Sequence, residues 1–308
     1  MSFFILTRVL LSVGANAVQK RMLLDGTRTT PIWLATYSLV LVPGLALAIF
    51  RPLPGSAEFW GNVLLSGLLD AAGNLAMVAA LRTTDLSIFG PLNAFCPILA
   101  LLFGWIFLRE TPSAVGALSV AIIVIGALVL FSGNETPHVG ARLRTFSFRP
   151  LGLSLSTLGA VFLKRAAVVG CAELTLCAWT ACGLLCLFAF SIGSGGQPLA
   201  LVTTSLRQHG AWLTLHSVTF IAMQWLTIRI FQHTLLAHSF AYFQPAMVLQ
   251  LLLARFLFRE GISHVALPGA PSCVLEACCW PGKAEYLFVE DTLSGSRGLG
   301  RVNHIHLH

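Results

Sequence analysis

Leu86–Glu110 reads LSIFGPLNAFCPILALLFGWIFLRE, and Thr111–Phe131 reads TPSAVGALSVAIIVIGALVLF. Each holds an apolar run long enough to cross a bilayer, which takes roughly 20 residues at 1.5 Å apiece. Only Arg109, Glu110, Thr111 and Pro112 separate the two runs. The spans must therefore reverse tightly and lie antiparallel. Pro91 and Pro97 fall inside the first run. A proline there removes a backbone donor and opens a turn, which hydrocarbon tolerates only where protein or water completes the bonding. The first run is expected to be a kinked span packed among other spans.

The stretch has an echo. Phe231–Ser263 reads FQHTLLAHSFAYFQPAMVLQLLLARFLFREGIS. A shift of 150 residues places Leu108-Arg109-Glu110 on Phe258-Arg259-Glu260, Ser113 on Ser263 and Asn74 on Gln224. Pro97 and Pro245 occupy the same span of each copy, two positions out of register. An internal repeat of about 150 residues organises the chain.

The composition defines the solvent. Of 308 residues, 56% are hydrophobic and 10% charged, with mean hydropathy +0.82. Soluble domains carry about 25% charged residues, so this is an all-α polytopic membrane protein. The net charge of +7 is ordinary for short basic loops. No basic stripe interleaved with aromatics appears, as nucleic acid would require. The N-terminal apolar run has no small-residue cleavage site and reads as a retained span. Cys171, Cys177, Cys182 and Cys186 lie in or beside one span without paired zinc-ligand spacing, so they read as small apolar residues.

In chain order, spans are expected at Ser2–Gln19, Pro31–Phe50, Phe59–Leu81, Leu86–Leu108 and Ser113–Phe131. A polar connector follows at 132–150, carrying Arg142, Arg144 and Arg149. Spans resume at Leu151–Ala167, Leu174–Ile192, Ala211–Phe231 and Leu235–Phe258. The expected domains are a first repeat at 1–131, the connector, and a second repeat at 151–263. Five spans per repeat is odd, so the second copy enters the membrane from the opposite side. Such inverted repeats place a substrate site near the midplane between them. Gly14-Ala15 with Lys20-Arg21 echoes Gly159-Ala160 with Lys164-Arg165. In an inverted pair these basic pairs face opposite sides, so positive-inside counting largely cancels. The connector alone favours the cytoplasm.

Asp70 is the sharpest candidate for function, near the centre of the third span. An aspartate there costs about 2.5–3.5 kcal/mol on insertion scales, so it must face a cavity or a partner. It reads either as a proton- or cation-coupling site or as a carboxyl bonded to a neighbouring span. Asn74 lies one turn on, on the same face, and Gln224 is its counterpart in the other repeat. Their amides read as solute ligands or as bonds between helices. Asn93 follows the Pro91 kink and Gln244 precedes Pro245; these two complete the expected cavity lining. His216, His233 and His238 could relay protons, though two sit near span ends, where an interfacial place is the plainer reading. Lys20 and Lys164, also at span ends, are expected to snorkel. Arg109-Glu110 and Arg259-Glu260 are turn residues and read as local ion pairs or caps rather than substrate ligands. The tryptophans read as interfacial belts or bundle contacts.

These features support a secondary transporter working by alternating access, its halves rocking about a central cavity. No phosphate-binding GxxxxGK[ST] loop accompanies the spans. A membrane-embedded transferase would need acids or histidines clustered at a span end, and the loops offer none. An inactive relative with a truncated last helix stays open as the alternative. No cofactor is expected.

The two repeats each have a proline-bearing span, a Glu-containing turn (LRET at 108–111, FREG at 258–261) and a glycine-rich fifth span or its start. The pattern resembles the drug/metabolite transporter superfamily, of the EamA-domain type, over about residues 1–263. The resemblance implies a ten-helix bundle that carries small metabolites such as amino acids or drugs, often coupled to protons, in the cell (inner) membrane. After Ser263 the pattern stops. The tail 264–308 carries Pro268, Pro271, Pro281, Glu276, Lys283, Glu285, Glu290 and Asp291, and no 18-residue apolar window. It reads either as a frame-shifted segment replacing the tenth span or as a polar tail with a half-span. Its His304, His306 and His308, with Cys273, Cys278 and Cys279, lack metal-ligand spacing.

Overall fold

A computed structural model describes residues 2–51, 53–83, 93–111 and 139–258, together with 114, 116–118, 120–122 and 124–125. All regular structure among them is helical. The helices are α1 (Ser2–Leu24), α2 (Thr29–Ala48), α3 (Ala57–Thr83), α4 (Cys96–Phe103), α5 (Val139–Val169), α6 (Ala172–Gly193), α7 (Pro198–His233), α8 (Leu236–Tyr242) and α9 (Pro245–Leu257). A 3₁₀ turn at Asn93–Phe95 leads into α4, and a π-turn at Gly104–Leu108 follows it.

Among the described residues six segments are long and apolar enough to cross a membrane: Ser2–Leu24, Thr29–Ala46, Ala57–Leu81, Arg149–Val169, Ala172–Gly193 and Leu236–Leu257. At 1.5 Å per residue a 20-residue segment spans 30 Å, the thickness of the hydrocarbon core. Their outer faces carry exposed large apolar side chains, among them Phe3, Leu6 and Leu10 on α1, Leu64 and Leu68 on α3, and Leu252 and Phe256 on α9. The spacing of three, four and seven residues gives one apolar stripe per helix. So much exposed apolar surface is stable only against lipid. The protein is an integral, multi-pass membrane protein.

Small residues set the closest seam. α3 and α5 pack antiparallel: Gly73 lies against Gly152 and Ser156, Gly159 against Ser66 and Asp70, and Gly170 against Phe59. A Cβ on Gly73 would lie 2.9 Å from the Ser156 amide nitrogen and 3.0 Å from the Gly152 carbonyl oxygen. Only glycine permits that approach, which substitutes dispersion contacts for the hydrophobic drive that lipid removes. The other extensive pairs are α1–α7, α2–α6, α2–α7 and α3–α6, with α4 on α5 and α8, and α9 on α1. Exchanging α1, α2, α3 and α4 with α5, α6, α7 and α8–α9 maps this set of pairs onto itself. The middle is aromatic: Trp33, Tyr37, Trp179 and Phe220 lie with ring centroids 5.2–6.2 Å apart.

Several expectations are changed or refined. The connector becomes helix from Val139, and α5 runs through Pro150; Arg149, expected in a loop, is fully buried. The span expected at Leu235–Phe258 is present as the membrane-length segment Leu236–Leu257, interrupted at Pro245, which has no N–H to continue α8 and starts α9 at its first turn. The span expected at Ala211–Phe231 is part of a 36-residue helix that breaks at His209 (φ −130°, ψ 26°). Glu110 does not pair locally with Arg109. It bonds Lys164 of α5 and accepts the Leu236 N–H of α8 at 2.7 Å. Lys164 is correspondingly buried rather than snorkelling, and also donates to the Thr234 carbonyl at 2.6 Å. Lys20 is buried as well and donates to the Leu81 carbonyl at 3.4 Å. Pro91, most of the expected fifth span, the Arg259-Glu260 turn and the tail lie outside the described residues.

Candidate functional site

Two hydrogen bonds fix how α1 and α7 run past each other. Arg8 Nε donates to Thr227 Oγ1 at 3.2 Å, and Gln19 Nε2 meets His216 Nε2 at 2.8 Å. Low numbers on one helix meet high numbers on the other, so the pair is antiparallel. Beside it stands the α3–α5 seam. Between the two pairs lies a cavity of about 210 Å³. An apolar cavity of roughly 150 Å³ holds benzene, so this one has room for a somewhat larger solute.

Asp70, Asn74, Asn93, Gln224 and Gln244 all line this cavity. They come from α3, the 3₁₀ turn, α7 and the break before α9, positions far apart in sequence. Asp70 is held by a local triangle. Tyr37 Oη of α2 donates to Asp70 Oδ2 at 3.3 Å, and Asn74 Nδ2 donates to the same oxygen at 2.9 Å and to Tyr37 Oη at 3.3 Å. The spacing of four residues on one helix puts Asn74 and Asp70 within reach. The two proline interruptions meet: Gln244 Nε2 donates to the Asn93 carbonyl at 3.4 Å and to the Phe240 carbonyl at 3.0 Å. Asn93 Oδ1 in turn accepts from Arg149 Nη2. The interruptions thus join the two parts of the chain at one end of the cavity.

Sequence reasoning missed two cations here. Arg8 and Arg149 both line the cavity. Arg8 lies over the Phe243 ring, its guanidinium carbon 3.5 Å from the centroid. The signal was present, since Arg8 is an ionisable residue inside an apolar run, the same criterion that singled out Asp70. Arg149 was hidden by the turn-forming residues around it. Tyr37 and Thr227, which orient Asp70 and Arg8, carry no signal that distinguishes them from other span hydroxyls.

The histidines divide. His216 is buried behind Gln19, bonded on both ring nitrogens, with Thr36 Oγ1 3.0 Å from Nδ1. His238 is buried in α8, and His233 is exposed at the end of α7. Among the described residues no group of three His, Cys, Asp or Glu is placed to hold a metal, and five cysteines are free thiols.

The described residues thus form an all-helical bundle of membrane-length helices around a cavity with polar lining. The EamA-like transporter family matches residues 2–132. The match covers less than half of the chain. A solved crystal structure of a protein aligns over 90% of this chain and 94% of its own, with TM-score 0.60 and 16% identity; at that identity the likeness is one of fold. No curated protein matches the chain.

Proposed function

We propose that the protein is a secondary transporter that carries a small solute through this cavity by alternating access, with Asp70 as the coupling carboxyl. One observation carries the reading: five polar residues singled out from the sequence come from separate segments and line one cavity inside an apolar bundle. A bundle held by helix-to-helix hydrogen bonds alone has no need to gather them around empty space. The self-matching set of helix pairs supports two inverted five-span repeats, the arrangement that alternating access uses. Asp70 accepts from Tyr37 and Asn74, with the Ser156 side chain also facing its carboxyl, and among the described residues has no ion-pair partner. Such a carboxyl can exchange a proton or a solute cation without first breaking a salt bridge.

The test is flux in proteoliposomes with an imposed pH gradient, screened over labelled amino acids, amines and organic acids. The wild type accumulates a solute when the gradient is present. Asp70→Asn is expected to lose gradient-driven accumulation by tenfold or more while still exchanging labelled for unlabelled solute. If Asp70→Asn accumulates as well as wild type, the coupling role is wrong.

A further inference from the structure

Charge is uneven around the cavity. Among the described residues its lining carries two guanidiniums, Arg8 and Arg149, and one carboxyl, Asp70. A short chain of contacts links the two cations. Arg8 lies over the Phe243 ring, the next residue Gln244 donates to the Asn93 carbonyl, and Asn93 Oδ1 accepts from Arg149. Cys96 closes the circuit, its side chain lying within electrostatic range of both guanidiniums. Arg8 is fixed there by its Nε bond to Thr227 at 3.2 Å. Among the described residues no carboxylate lies within ion-pair distance of Arg8. A half-buried guanidinium held in this way is a seat for an oxyanion, because a charge-assisted bond offsets the cost of keeping the cation away from water. Much of the remaining lining is apolar: Met77, Val78, Leu163, Phe220, Met223 and Phe231.

Asp70 responds to the same charges. It is faced by Tyr37 of α2, Asn74 of its own helix and Ser156 of α5. Cys186 of α6 lies near Tyr37, Lys20 of α1 binds the Leu81 carbonyl near the C-terminal end of α3, and His216 of α7 stands behind Gln19. An anion in the cavity is repelled by the Asp70 carboxylate and not by the protonated acid. Anion and proton therefore raise each other's affinity, by the same factor. Resting on the transport reading above, we infer that the solute is a carboxylate with an apolar body, seated at Arg8 in the field of Arg149, and that it binds together with a proton on Asp70. The cavity of about 210 Å³ takes a body the size of a benzene ring along with its carboxylate.

The experiment is equilibrium binding of phenylacetate to the full chain in lipid nanodiscs at pH 6 and pH 8, where the ligand is an anion throughout. Phenethylamine, phenylalanine and phenyl phosphate serve as comparators. Phenylacetate is expected to bind about tenfold more tightly than any of the three, and severalfold more tightly at pH 6 than at pH 8. Arg8→Gln is expected to weaken binding about tenfold, and Arg8→Lys to recover part of the loss. Asp70→Asn, which imitates the protonated acid, is expected to bind at pH 8 as tightly as the wild type does at pH 6 and to lose the pH dependence. The unmutated chain supplies a check that no folding defect can confuse. Cys96 is expected to react severalfold faster with a sulfonate-bearing thiosulfonate than with its trimethylammonium counterpart, each rate taken relative to a free thiol and read at Cys96 by peptide mass mapping. The inference is overturned if phenethylamine or phenyl phosphate binds as tightly as phenylacetate, if Asp70→Asn keeps the pH dependence, if Cys96 shows no preference for the anionic reagent, or if phenylacetate does not bind. Binding with this pattern but no flux would refute the transport reading and leave this one standing. Flux of some other solute without the pattern would do the reverse.

Discussion

At the scale of single residues, the cavity depends on side chains that hold other side chains. Tyr37 touches Asp70 and Asn74 at once. Tyr37→Phe deletes one donor to a carboxylate, an interaction worth about 1.5–3 kcal/mol. It is expected to shift the pH dependence of solute uptake while leaving the fold intact, as read by uptake at stepped pH beside a melting curve. Outside the cavity, Arg109 is exposed and holds φ at 55°, a left-handed conformation that favours glycine. Arg109→Gly is expected to stabilise by about 1 kcal/mol, seen as a rise of roughly 2 °C in the melting temperature of detergent-purified protein. The sequence made Asp70 legible because a charge in an apolar run has a cost that can be reckoned without a structure. It left Arg109's backbone illegible, because nothing in the residue type marks a left-handed turn.

At the scale of elements, the reversal after α4 does more than turn the chain. Glu110 ties that reversal to α5 through Lys164 and to the first turn of α8 through the Leu236 N–H. Both ion-pair members are largely buried, at 13% and 8% side-chain exposure. Removing one partner of such a pair leaves the other unpaired and costs about 3 kcal/mol, so Glu110→Gln should lower the melting temperature by several degrees. The double swap Glu110→Lys with Lys164→Glu is expected to recover little. Each side chain also serves a backbone group that the exchanged charge cannot satisfy, since a lysine cannot accept from Leu236 N and a glutamate cannot donate to Thr234 O. A melting curve of the double variant at wild-type temperature would refute this account. The register of the repeat showed that these residues mattered as a pair of turns. It could not show the cross-contact, because i to i+1 charge neighbours suggest a local pair and the true partner lies 54 positions away. The proline at 245 foretold the kink between α8 and α9 but not that Gln244 reaches Asn93.

At the scale of the molecule, the closest seams join the first part of the chain to the second. α3 packs on α5 through glycines that a Cβ would drive apart. Gly73→Val is expected to cost several kcal/mol, at the upper end for overpacking, and to lower the yield of folded protein measured by size-exclusion in detergent. That the chain holds several membrane-length apolar helices was readable in the sequence because the bilayer fixes their length. Which run lies against which was not, since every span shows lipid and protein the same apolar letters, and only the glycines at 73, 152, 159 and 170 hint at close approach.

The triangle around Asp70 also bears on how the chain is made. Synthesis proceeds from the N-terminus, so α3 enters the membrane before α5 has been translated. During that interval the glycine face of α3 has no partner from the second part of the chain. Asp70 does not have to wait. Tyr37 arrives earlier on α2, and Asn74 follows four residues later on α3 itself. The buried acid is thus hydrogen-bonded by its own nascent hairpin, and the first three helices can rest in the bilayer until the ribosome delivers the rest.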